Sequence, residues 1–146
     1  MSWLSPQQTW RNILDELPVI GDKFQPFYDS FWHLPQLPAQ TVELCRLRVA
    51  QLHQNSVEFD RSAIEIPAAQ REALANWNRD EHFSAAERAC LAFTEVYTMD
   101  VSAITDALAD DVKTCLGDAG LVALVQALGL YYGRTRIAQL WQLTAN

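Results

Sequence analysis

Glu43-Leu44-Cys45-Arg46-Leu47-Arg48-Val49-Ala50-Gln51-Leu52-His53-Gln54-Asn55-Ser56-Val57-Glu58-Phe59-Asp60-Arg61-Ser62 is the stretch on which the reading of this chain turns. Val42, Cys45, Val49 and Leu52 recur at the i, i+3, i+7, i+10 spacing of one helix face, and Leu44, Leu47 and Ala50 widen it. Pro38 suits a first turn, where its missing N–H has no intrahelical acceptor to lose. The pattern predicts a long central helix from about Pro38 to Leu52, broken at His53-Gln54-Asn55. Asn55 then offers a side-chain acceptor to a second helix, with Glu58 three positions on, as in a capping box with Asn in place of Ser or Thr. That helix is expected to end near Ile66, because Pro67 disfavours helical geometry in the residue before it.

The rest of the chain keeps the same 3.6-residue period. Prolines at 6, 18, 26, 35 and 38 divide the first 40 residues into short helices and turns. Phe24, Phe27, Tyr28, Phe31 and Trp32 stand at helical spacing there, and such a stripe reads as core or subunit interface. A short helix is expected over Ala68 to Asn78. Ser84-Ala85-Ala86-Glu87 is a full capping box opening a helix with Ala86, Ala89, Cys90, Phe93, Val96 and Tyr97 on one face. Asp100 or Ser102 would cap a shorter helix ending near Asp110, and Asp118 would start a last long one to Thr144. Gly129 and Gly133 in that helix suggest a close helix-to-helix approach. The expectation is one all-α domain over residues 1–146, a compact multi-helix fold of about six to eight helices, with the Pro38–Leu52 and Asp118–Thr144 helices central.

Composition narrows the function classes. The chain has 146 residues, 49% of them hydrophobic and 20% charged, as in a globular domain with a real core. Its 18 acidic against 11 basic residues give a net charge of −7, which repels phosphate backbones and anionic lipid, so neither nucleic acid nor membrane is an expected partner. No run approaches the roughly 20 apolar residues of a membrane span. Met1 to Pro6 lack a signal peptide's basic start and apolar run. With Cys45, Cys90 and Cys115 scattered and odd in number, a disulfide framework is not expected and the cytoplasm is the default compartment.

The Glu43–Ser62 stretch resembles the core segment of the alkylhydroperoxidase D (AhpD-like) and carboxymuconolactone decarboxylase family, particularly its peroxidase-related members. In that family a helix reading roughly E-L-x-x-L-R-V-A-Q-L turns into C-x-x-C-x-x-x-H on the next helix. The match runs from Glu43 through Leu52, and Trp77 with Phe83-Ser84-Ala85-Ala86-Glu87-Arg88-Ala89 is similar to the family's tryptophan and next capped helix. The resemblance spans about residues 15 to 140 and implies an all-α fold and a homo-oligomer. It also implies a proton-relay role for Glu43. At the family's two cysteine positions this chain has Asn55 and Glu58, and at the histidine position Ser62.

That replacement removes a chemistry. A cysteine at a helix N-terminus reacts because the helix favours its thiolate, and a second cysteine resolves the oxidised sulfur. Neither Asn55 nor Glu58 can do either, and Cys45 and Cys90 on apolar faces read as buried hydrophobes. The peroxidase label that the family carries is therefore not expected as an activity. Glu43 and Glu58 would lie about 22 Å apart on one uninterrupted helix at 1.5 Å per residue, so they share a site only if the chain folds back near His53–Asn55. If they do, Glu43 with Glu58, and His53 as proton carrier, are the catalytic candidates for acid/base work on a small organic acid or lactone. Asn55, Glu58 and Ser62 would mark the pocket. Glu58 as a plain helix cap and His53 as a helix-end residue are the competing readings. No cofactor motif or sequence-local metal motif occurs. A non-catalytic oligomeric binding or scaffold protein is the other expectation.

Overall fold

The structure, a computed structural model, describes residues 8–144. It contains seven α-helices: α1 (Trp10–Asp15), α2 (Pro18–Ser30), α3 (Ala39–Leu52), α4 (Ser56–Asp60), α5 (Ala68–Ala73), α6 (Ala85–Met99) and α7 (Asp106–Leu140). Short 3-10 turns lie at Phe31–His33, Leu74–Arg79 and Val101–Ala103. The described residues hold no strand, only one parallel bridge between Thr9 and Thr144. The all-α expectation therefore holds, while the reading of residues 1 to 6 lies outside the described residues.

α3 is the centre of the molecule, packed between α6 and α7. Every residue from Thr41 to Leu47 is buried, as are Val49 and Ala50. Burying a Leu or Val side chain contributes about 1.5–3 kcal/mol, so Leu44, Leu47, Val42 and Val49 supply much of the drive that holds α3 inside. Pro38 stands one residue before the helix, at its N-cap, with extended backbone. The aromatic stripe divides. Tyr28, Phe31 and Trp32 pack around Tyr131 of α7, with ring centroids 6.0, 6.4 and 5.7 Å away, whereas Phe27 is 52% exposed.

Three boundaries differ from the sequence expectations, each for a local reason. Pro26 lies inside α2 rather than ending a helix; it and Asp22, whose carbonyl loses its donor, are both on the exposed side. The helix after Asp100 is a single 3-10 turn, and the α-helix that follows is capped by Thr105, whose hydroxyl accepts from the Leu108 N–H at 3.3 Å. That helix runs past Asp110 to a break at Gly117, where φ 72° and ψ 179° are open only to glycine. The break divides α7 into arms 106–116 and 118–140, so the expected start at Asp118 is met. Of the close approach expected at Gly129 and Gly133, a Cβ at Gly129 would touch the Tyr97 hydroxyl of α6 at 3.5 Å and one at Gly133 would meet nothing within 4 Å; the tightest site is Gly120, where a Cβ would clash with the Leu116 side chain and lie 3.2 Å from the Gln36 carbonyl oxygen.

By length and apolar composition α7 is long enough to cross a membrane, which the sequence reading had not foreseen; 33% of its most apolar stretch is buried inside the fold, and core helices pass the same test.

Candidate functional site: a buried guanidinium–carboxylate cluster

The break after α3 is a tight reversal. Gln54 takes φ 55°, and the Asn55 N–H donates back to the Ala50 carbonyl at 2.9 Å. Asn55 then caps α4, its Oδ1 accepting from the Glu58 N–H at 3.2 Å, while its amide donates to the Thr135 carbonyl of α7 at 3.4 Å. The fold-back that brings Glu43 and Glu58 into one cluster is thus present, and the residue at their junction is Arg46.

Arg46 and Glu43 form a fork-to-fork pair. Nη2 donates to Glu43 Oε1 at 2.5 Å and Nε to Oε2 at 3.0 Å. Trp32 Nε1 and the Ala63 N–H complete the Glu43 carboxylate, each at 3.2 Å. From its other side Arg46 donates to the Glu58 carbonyl at 2.8 Å and the Arg61 carbonyl at 2.5 Å, and stands 3.5 Å from Glu58 Oε2. The Glu58 carboxylate accepts further from Arg61 Nη2 and Arg134 Nε, both at 3.2 Å. Arg61 also donates to the Tyr28 hydroxyl. The Arg134 guanidinium lies 4.4 Å from the centre of the Trp10 ring and 4.7 Å from that of Tyr28. Three guanidinium groups meet two carboxylates, a net charge of +1.

The same contacts end α4 at Asp60, well short of Ile66. Arg46 takes the Glu58 and Arg61 carbonyls, Arg71 takes the Phe59 carbonyl, and Glu43 takes the Ala63 N–H. Those are groups that further helical turns would have to use, and the charge-assisted bonds win them.

Burial pushes the Glu58 carboxyl up, but the charges of Arg134, Arg61 and Arg46, with the Arg61 hydrogen bond, outweigh it and hold the group below its ordinary value. Arg134 is drawn down by burial and Arg61 is raised by Tyr28 and Glu58 against its own burial; both stay protonated, because a guanidinium does not lose its proton in a protein. Glu58 is therefore ionised at neutral pH.

Glu58, Arg61 and Arg134 line a cavity of about 330 Å³ together with Trp10, Ala138 and Leu143. Trp10, Arg61 and Arg134 also line an adjoining cleft of about 560 Å³ towards α1 and α2. In this wall Trp10 Nε1 and Arg61 Nε are buried without an acceptor. Leaving such a donor unpaired costs about 1–3 kcal/mol.

The sequence candidates are distributed unevenly over this site. Glu58 is in the cavity wall; Glu43 is fully buried behind Arg46 and Trp32 and lines neither cavity. The expected mutual repulsion of two adjacent carboxylates is absent, since Arg46 stands between them. His53 belongs elsewhere: its Nδ1 is 2.9 Å from the Val49 carbonyl, its ring packs on Tyr132 at 5.1 Å, and it lines a separate depression with Arg136 and Gln139. Ser62 follows the end of α4, is exposed and lines no cavity wall at the cluster, so it does not continue the Glu58 face. Cys45 and Cys90 are buried and Cys115 is exposed. Burial pushes the Cys45 thiol up to about 12 and raises Cys90 further, so neither forms a thiolate at neutral pH.

The residues that sequence reading missed are Arg46, Arg61, Arg134 and Trp10. Arg46 carried a signal, a cation three positions from Glu43 within a buried helical stretch. Arg134 and Trp10 carried none, because their proximity to Glu58 is made entirely by tertiary folding. Fold and site together define an all-α domain in which α3, α4 and α7 bring together a net-positive charge cluster opening on a small cavity. No known protein family and no curated protein matches the chain.

Proposed function

We propose that this chain is a non-redox relative of the alkylhydroperoxidase D and carboxymuconolactone decarboxylase fold, in which the Glu58 cavity binds a small organic molecule and no peroxide is reduced. One observation carries the reading. At the positions of the family's cysteines stand a spent helix cap, Asn55, and an ion-paired carboxylate, Glu58, and that carboxylate faces a cavity. The first test is organic hydroperoxide consumption with a thiol reductant, in the wild type and in a triple Cys→Ser variant. The expected rate is the uncatalysed one in both; turnover lost only in the variant would overturn the reading. The second is the shift in thermal midpoint with small organic acids, lactones and their uncharged analogues, where no response from any of them would count against a binding cavity.

Acid/base chemistry by Glu58 with Glu43 is the second reading, favoured by their convergence on Arg46. Held below its ordinary value, Glu58 would act as a base rather than an acid, and Glu43 would act through Arg46 without touching the ligand. Conversion of a small lactone, followed by NMR and lost in Glu58→Gln, would establish it. The homo-oligomer expectation rests on Leu17, Val19, Ile20 and Phe27, which α2 and the residue before it leave exposed. Sedimentation at micromolar concentration decides it.

A further inference from the structure

Trp10, Arg61 and Arg134 are common to the cavity and the cleft, and two of the three carry a buried donor with no acceptor. The third orphan among the described residues, the Tyr131 hydroxyl, lies in the aromatic core with Tyr28, Phe31 and Trp32 and lines neither space. At the wall oxygen acceptors are missing for Trp10 Nε1 and Arg61 Nε, and the buried cluster behind it, the exposed Asp60 at the rim apart, sets three guanidinium groups against two carboxylates. Nη2 of Arg61 already donates to the Tyr28 hydroxyl and to Glu58, which fixes its guanidinium in place. A carboxylate supplies two acceptor oxygens and a single charge. Val57, Ala138 and Leu143 give the cavity wall an apolar part, beside the polar Ser56, Asp60 and Thr144.

We infer that this wall recognises a small monocarboxylate with an apolar body, its oxygens taken by Arg61 Nε and Trp10 Nε1 and its charge balanced beside Arg134. The inference rests on the reading that the cavity binds a small molecule, and it names what that molecule carries. A dianion would leave the cluster negative next to Glu58, and the exposed Asp60 at the rim adds to that bias. A neutral amide would offer one acceptor oxygen and no charge.

The test is calorimetric titration of the full chain with benzoate, benzamide and inorganic phosphate, in the wild type and in Trp10→Phe and Arg61→Lys variants. Trp10→Phe keeps the ring under Arg134 and removes only the N–H; Arg61→Lys keeps the charge and removes the Nε donor. Benzoate is expected to bind at least about tenfold more tightly than benzamide or phosphate, and each variant to weaken benzoate by about tenfold, the loss of one charge-assisted hydrogen bond, with benzamide unaffected. Equal binding of benzoate and benzamide, unchanged by Trp10→Phe, would overturn the carboxylate assignment and leave the cavity reading standing. Preference for phosphate would overturn the monocarboxylate class. Binding of none of the three would overturn the assignment and the cavity reading with it. Should Arg61→Lys lower the thermal midpoint markedly, Trp10→Phe alone decides.

Discussion

The side of α3 that carries Cys45 and the side that carries Glu43 and Arg46 are equally buried and opposite in chemistry. The two directions differ by about 200° of helix rotation from residue 43 to residue 45. Towards α6, Cys45 meets Thr94 in an interior that also holds Cys90, and burial is the largest cause that silences both thiols. Towards α4, two carboxylates are taken out of water with Arg46 and Arg134, Arg61 remaining partly exposed, and every oxygen of Glu43 and Glu58 has at least one donor. Burial thus removes reactivity where the group can remain neutral, and compels a network where it cannot.

Four experiments would break or sharpen this contrast. Arg46→Met removes the cation shared by both carboxylates and by the Glu58 and Arg61 carbonyls, and a loss of about 3–5 kcal/mol in urea unfolding is expected; a loss below about 1 kcal/mol would rank the network with surface ion pairs. On the other side, Cys90→Ser places a hydroxyl in an apolar interior and should cost about 1–3 kcal/mol, against a smaller change for Cys90→Ala. Equal costs for Ser and Ala would mean that polarity is not what that side excludes.

The third experiment is the pH dependence of stability. Because the folded Glu58 carboxyl lies below its unfolded value, its contribution is complete above 4.5 and is lost as pH falls through the lower folded value. One such group gives a slope of at most about 1.4 kcal/mol per pH unit, which Glu58→Gln should remove while leaving the rest of the acid limb intact. An unchanged slope in the variant would show that Glu58 is not held ionised by the cluster. The smallest effect is expected for Asn55→Ala, about 1 kcal/mol for one helix cap, since Arg46, Arg61 and Arg134 still hold Glu58 in place.

The sequence made α3 readable because its apolar positions are redundant, and the caps at Asn55 and Ser84 readable because a cap is a local device. What it could not disclose is where the glutamates of those caps send their carboxylates. A capping box would turn Glu58 and Glu87 back on their own helix starts. Instead Glu58 is drawn to three arginines, and Glu87 accepts from Gln70 at 2.6 Å. The end of α4 was illegible for the same reason, since Pro67 set only a latest possible stop and the competing donors came from residues 46 and 71. Two of the site's residues, Glu43 and Glu58, could be named from the chain. Trp10 and Arg134, at opposite ends of it, could not, because no local pattern encodes contacts that only the closed fold creates.

Trp10, Ile13, Ala138 and Leu143 form a core cluster of their own, apart from the main one, and the strand-like bridge in which the Thr144 N–H donates to the Gln8 carbonyl at 3.0 Å sits beside it. A unit this small opens at a lower free energy than the whole domain. Amide exchange should therefore show two tiers, with Ile13 and Leu143 exchanging well before Leu47. A ligand held at Trp10 would draw the faster tier towards the slower one, so that protection of the α1 amides becomes a gauge of how full the cavity is.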